Sequence, residues 1–183
     1  MPMSISAAQG SNRIFERFQD TSTMMDAEYE LLKQGEKCLP VLVSLFDGSA
    51  KNSFGVSYRE IGLPLRCGLE VARRLGPIAK PLESYLRGEL SARNSLSFVA
   101  AMALGSLGNL EEASIIALAT SLDTVEMTAA GGVSGQLDLN AESAVALIKC
   151  GKDNHPAVLE VLDRSSAAAK SFASVQSFLR NRR

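Results

Sequence analysis

With 183 residues, 46% of them hydrophobic, the chain is long enough for one domain or one short array with a real core. Aromatics supply only 5% and tryptophan is absent, so that core must be built from Leu, Ile, Val, Ala and Met, a palette suited to tight helix-on-helix packing. A net charge of −1, three scattered cysteines, no apolar signal region in MPMSISAAQGSNR and no run of ~18 uncharged apolar residues exclude a disulfide scaffold and a membrane span, and lead to the expectation of a soluble cytoplasmic protein.

Residues 1–11 are small, polar and without periodicity, and are expected to be flexible, leaving 12–183 as a single domain. Apolar residues then recur at helical spacing over 12–33: Ile14, Phe15 and Phe18, followed by Met24, Met25, Tyr29, Leu31 and Leu32, with a break near 21–23. Gly35 supplies a left-handed cap, after which 36–46 form a second helix ending at Asp47 and Gly48. A polar insertion over 47–61 precedes a helix pair at 64–75 and 77–87. The next pair is expected at 92–107 and 110–122, and its first member carries Ala100, Ala101, Ala103 and Gly105, small residues that let helix axes approach closely. A second insertion over 123–139 contains AAGGVSGQ, which cannot sustain a helix. Asn140 is then an N-cap for 141–150, followed by helices at 155–162 and 166–180. No sustained alternation of apolar and polar residues marks a strand, so the fold class is all-α.

The helical segments repeat. Gly35-x4-Pro40, Gly76-x4-Pro81 and Gly151-x4-Pro156 share one offset, Gly108-x4-Ala113 is a variant copy, and the glycines recur at 41, 32 and 43 residues. Proline early in a helix loses little, because the N–H it lacks has no intrahelical acceptor there. Such a recurrence marks stacked helical units, none of which buries its apolar face alone. The segments LLKQGEKCLPVLVSLF, ARRLGPIAKPLESYL, LGSLGNLEEASIIAL and LIKCGKDNHPAVLEVL resemble the HEAT-like (armadillo-related) repeat superfamily over roughly residues 26–164. The resemblance implies a short right-handed α-solenoid of three to four HEAT-like helical hairpins with N- and C-terminal capping helices. It also implies a function in protein binding, since most members are scaffolds and a minority bind DNA or assist chromophore attachment.

Chemistry-bearing residues are sparse. His155 is the only histidine and precedes Pro156 at a helix start, where it reads as a capping residue. Glu111 and Glu112 are adjacent and therefore splayed about 100° apart on a helix, which makes a first-turn dipole partner rather than a catalytic pair. Cys38, Cys67 and Cys150 fall in apolar helical patterns and read as buried, reduced packing residues, and with one histidine no zinc spacing exists. GGVSGQ lacks the lysine and the strand of a phosphate-cradling loop. No cofactor, no metal and no catalytic residue is assigned.

Charge is unevenly spread. Residues 94–148 contain no Lys, Arg or His but six acids, Glu111, Glu112, Asp123, Glu126, Asp138 and Glu142, whereas 149–183 hold seven bases against three acids. Such an acidic block repels nucleic acid and suits a protein with a basic surface. In the first insertion, Asp47, Phe54, Tyr58 and Arg59 form the second candidate set, because aromatic side chains in a polar loop either fold back or anchor a partner. The sequence therefore points to a non-catalytic protein-binding module, of the inhibitor or bacterial immunity type that masks a basic effector or toxin. Its candidate partner-binding residues are Asp47, Phe54, Tyr58, Arg59, Glu111, Glu112, Asp123, Glu126 and Asp138. The alternatives are a scaffold or adaptor in a larger assembly and, from another class, a HEAT-type lyase-like enzyme handling a cofactor. Neither nucleic acid nor membrane is an expected partner, and the oligomeric state stays open.

Overall fold

The computed structural model of the protein describes residues 7–123 and 139–181, and every regular element among them is helical. The one β-type pairing among the described residues is an isolated antiparallel bridge between Lys51 and Ser57. No described helix is long and apolar enough to cross a membrane. The chain divides into two compact units, with the boundary between Tyr85 and Leu86.

The first unit contains α1 (Ala7–Phe18), α2 (Met24–Gln34), α3 (Leu39–Phe46) and α4 (Gly62–Leu75). The first helix starts five residues before the expected one, so residues 7–11 belong to α1 rather than to a flexible end. The strong helix formers Ala7, Ala8 and Gln9 favour that start. As expected, the helical pattern breaks between α1 and α2: Asp20 Oδ1 accepts from the Ser22 backbone N–H (2.8 Å) and hydroxyl (2.7 Å), closing a turn that competes with the helix. Helix α4 packs on α1, α2 and α3. The core joins Phe15, Phe18, Leu31, Leu42, Leu45, Phe46, Leu69 and Val71, all fully buried.

The second unit contains α6 (Ser97–Ser106), α7 (Glu112–Ser121), α8 (Leu139–Lys149), α9 (Pro156–Arg164) and α10 (Ser166–Arg180), while α5 (Glu83–Ser91) spans the boundary. Helix α6 packs on α8, α7 on both α8 and α9, and α10 on α8 and α9. Small residues set this spacing: a Cβ added to Gly105 would lie 2.8 Å from the Ala146 Cα. Helix boundaries here differ from the sequence reading, most of all around α5 and α6. Residues 88–91 extend α5, and the break falls over 92–96, where Arg93 adopts a positive φ and Ser97 Oγ donates to the Glu89 carbonyl while accepting from the Asn94 N–H. Asn140, expected as an N-cap, is the second residue of α8.

All four aligned glycines, Gly35, Gly76, Gly108 and Gly151, have positive φ, which is why no other residue type occupies these turns cheaply. At Gly35 and Gly76, however, ψ is −130° and −131°, outside the left-handed helical region expected for Gly35. The chain leaves those two glycines in 3-10 geometry, over Gly35–Cys38 and Gly76–Leu82. Pro81 therefore sits in a 3-10 segment rather than in the first turn of an α-helix, whereas Pro40 and Pro156 occupy the first two positions of α3 and α9.

Candidate functional site

In the second unit two acidic residues sit at the start of α7. Glu111 is the N-cap residue of α7 and Glu112 its first residue, so both carboxylates lie near the positive end of the helix dipole. Arg87 Nη1 donates to Glu111 Oε2 (3.1 Å) and to Ser114 Oγ (3.1 Å). Glu112 Oε2 lies 3.1 Å from His155 Nε2, and His155 Nδ1 accepts the Ala157 backbone N–H (3.3 Å) as the N-cap of α9. Because Nδ1 accepts, the neutral ring carries its proton on Nε2 and donates it to Glu112. Both ring nitrogens are thus engaged within the protein.

The Glu112–His155 contact joins the starts of α7 and α9, and since the two helices also pack on each other, they run parallel. One turn further on, Ile116 and Leu159 remain 47% and 45% exposed. Exposed Glu160 and Asp163 of α9 lie beyond Leu159, and exposed Asp123 follows the end of α7, roughly 15 Å from Glu112 along the helix axis. The result is an aliphatic centre with carboxylates around it. Its one positive neighbour on α9 is Arg164, whose guanidinium lies 3.9 Å from Glu160. Sequence reasoning brought out Glu111, Glu112 and Asp123 but missed Ile116, Leu159, Glu160 and Asp163. The last three fall outside the 94–148 block, and the signal that finds them is the four-residue step from His155 to Leu159. Glu126 and Asp138 lie outside the described residues.

The first insertion is a closed, hydrogen-bonded loop. Asn52 Oδ1 accepts from the Phe54 N–H (2.9 Å) and the Val56 N–H (3.0 Å), Asn52 N donates to the Val56 carbonyl (2.9 Å), and Tyr58 N donates to the Ala50 carbonyl (3.0 Å). Gly55, with φ +77°, makes the reversal. At the tip Phe54 is 88% exposed. Of the two outcomes open to aromatic side chains in this loop, Tyr58, a candidate for partner binding, takes the inward one: it is 0% exposed with its ring 5.2 Å from that of Phe15, and burial, then Glu16, raises its phenol pKa. The preference of a large ring for the core outweighs the cost of its hydroxyl, which has no hydrogen-bond partner among the described residues. Arg59 Nη1 donates to the Phe46 carbonyl at the end of α3 (2.8 Å), and Asp47 Oδ1 accepts from the Ser49 N–H (2.8 Å). Arg59 thereby ties the loop to α3, yet it and Asp47 stay exposed, so Tyr58 is the member of the set withdrawn from the surface and Phe54 the aromatic one presented outward.

The cysteines are free, with Cys38 and Cys67 buried and Cys150 half-buried, a departure from the expected burial of all three. Burial, with Glu28 nearby, pushes the Cys67 thiol up to about 12, and burial also raises Cys38. Among the described residues no three His, Cys, Asp or Glu side chains form a metal-binding group. Comparison of the chain with protein-family models, with curated proteins and with solved structures returned no match.

Proposed function

We propose that the chain is a non-catalytic protein-binding module of HEAT-like hairpins that docks a basic protein surface on its α7/α9 face, in the manner of an immunity-type inhibitor masking an effector. The observation that carries this reading is the face itself: two exposed aliphatic residues on parallel helices, bordered by Glu112, Asp123, Glu160 and Asp163. An apolar centre with a charged rim is the usual anatomy of a protein interface, and carboxylates on the rim speed encounter with a basic partner. Support for the hairpin reading is that α6 lies on α8 and α7 on α9, so equivalent helices of successive glycine-turn pairs stack like on like.

A charge and an apolar substitution on the face test the proposal together. Wild type, Glu112→Lys/Glu160→Lys and Ile116→Asp are immobilised and exposed to a source-cell extract at about 0.05 M and about 0.5 M salt, where the Debye length falls from over 10 Å to about 4 Å. The captured proteins are then purified and their binding kinetics measured. The expected result is a basic partner whose association slows with salt and with the lysine pair, and whose dissociation quickens with Ile116→Asp. A partner that binds all three proteins alike at both salt concentrations overturns the assignment of this face. A second reading, an adaptor in a larger assembly, is favoured by Phe54, which the loop of the other unit presents in a fixed conformation.

A further inference from the structure

We propose that the second unit also binds a free aliphatic α-amino acid, in a cleft between α8 and the last turn of α10. The cleft has a volume of about 240 Å³ and is lined by Ile148 of α8, Asp153 of the following turn, and Gln176, Leu179 and Arg180 of α10. That is below the ~300–1,000 Å³ of pockets for drug-sized ligands and on the scale of a smaller molecule.

Its chemistry is that of a zwitterion site. Asp153 and Arg180 face the same space, yet neither is in an ion pair with the other or with any other described residue. The contact that holds the half-buried Asp153 is a hydrogen bond from Gln176 Nε2 to its Oδ2 (3.4 Å), a neutral donor that orients the carboxylate and leaves its charge in place. A ligand carrying an ammonium and a carboxylate satisfies both residues: the ammonium donates to Asp153, and the guanidinium grips the carboxylate through its fork of N–H groups. Ile148 and Leu179 supply an apolar wall for an aliphatic side chain. A lysine side chain of a protein would neutralise Asp153 but meet the repulsion of Arg180, and a simple carboxylate would meet that of Asp153. The neutral sum of a free amino acid avoids both.

Wild-type protein suffices for the first test. The methyl resonances of Ile148 and Leu179 are followed while leucine, leucine amide (no carboxylate) and 4-methylpentanoate (no ammonium) are titrated to about 10 mM, ten times the concentration that half-fills a site of 1 mM Kd. Saturable shifts with leucine, and affinities about tenfold or more weaker for both analogues, are expected. Asp153→Asn and Arg180→Gln should each weaken leucine by about tenfold or more; Asp153→Asn should leave 4-methylpentanoate no weaker, and Arg180→Gln should leave leucine amide no weaker. The absence of a saturable shift with leucine overturns the proposal, and so does equal binding of all three compounds, which would reduce the cleft to an apolar contact. Because the ligand panel is read on the unaltered protein, a variant that fails to fold does not obscure the outcome. The test is independent of the α7/α9 face, whose failure leaves this site standing.

Discussion

The two units solve the same packing problem with opposite materials. Around α4 the core is aromatic: Phe15, Phe18, Phe46 and Tyr58 are fully buried, and the Phe15 ring contacts both Phe18 (6.1 Å between centroids) and Tyr58 (5.2 Å). Between α6 and α8 it is built from small residues: Ala100, Ala101, Ala103 and Gly105 are buried on one helix, and Ala144 and Ala146 on the other. Large rings fill space between elements held apart by 3-10 turns and a loop, whereas small side chains bring two helix backbones together. The first arrangement is vulnerable to loss of volume and the second to gain of it.

The sharpest test of that contrast is Phe15→Ala, which removes the ring that joins α1 to Tyr58 and should cost about 3–5 kcal/mol in a urea titration. A cost below ~1 kcal/mol would mean that the aromatic cluster is not what holds the unit. Next in size is the reverse experiment, Gly105→Ala. Its new Cβ would meet the Ala146 Cα at 2.8 Å and Cβ at 2.9 Å, backbone-attached atoms that move only if α8 moves, so a loss of about 1–3 kcal/mol is expected despite the better helix propensity of alanine. Gly68→Ala in α4 is the matched control. Its Cβ would run into Leu45 Cδ2, the end of a flexible side chain that can swing aside, and it should cost less than Gly105→Ala. Equal losses would erase the distinction between the units.

Helix existence was readable from the sequence because apolar spacing and glycine turns are local signals. The run over 166–180 coincides with α10, and the four aligned glycines all require positive φ. Boundaries were harder where a side-chain hydrogen bond chose among several acceptable ends: the bonds of Ser97 and Asn94 mark where α5 stops, four residues beyond the expected end at 87. The acidic block was legible as composition, but its pairing with α9 was not, since a contact between Glu112 and His155, 43 residues apart, leaves no trace in either local pattern. Tyr58 and Phe54 are four residues apart in one polar loop and differ completely in burial. That outcome depended on whether a core lay beneath each ring, which spacing alone does not encode.

A smaller effect concerns two helix starts within the second unit. His155→Ala removes both the cap on the Ala157 N–H and the contact with Glu112, and should cost about 1 kcal/mol, whereas His155→Asn restores the cap alone and should recover most of it. If the asparagine variant is as unstable as the alanine one, the contact between α7 and α9 matters more than the cap.

At neutral pH the last difference has no energetic size at all, and it appears only on titration. Cys67 in the aromatic unit is 2% exposed with its thiol pushed from 9.0 up to about 12, while Cys150 in the small-residue unit is half-buried with Sγ 3.7 Å from the Gly105 carbonyl. A raised thiol pKa means that the folded state holds the proton more tightly than the unfolded one. The stability that Cys67 contributes is therefore complete below pH 9 and is lost as pH rises from 9 towards 12. Urea midpoints should fall across that window, and Cys67→Ala should flatten the fall after allowance for its own offset at pH 7. In native protein a thiol reagent at pH 8 should modify Cys150 first, and reach Cys38 and Cys67 at the rate of unfolding, because the reactive thiolate is scarce where burial opposes it. Fast, simultaneous labelling of all three would show that the aromatic unit opens as readily as the other, and the contrast between a core filled by rings and one closed by small residues would then carry no difference in local stability.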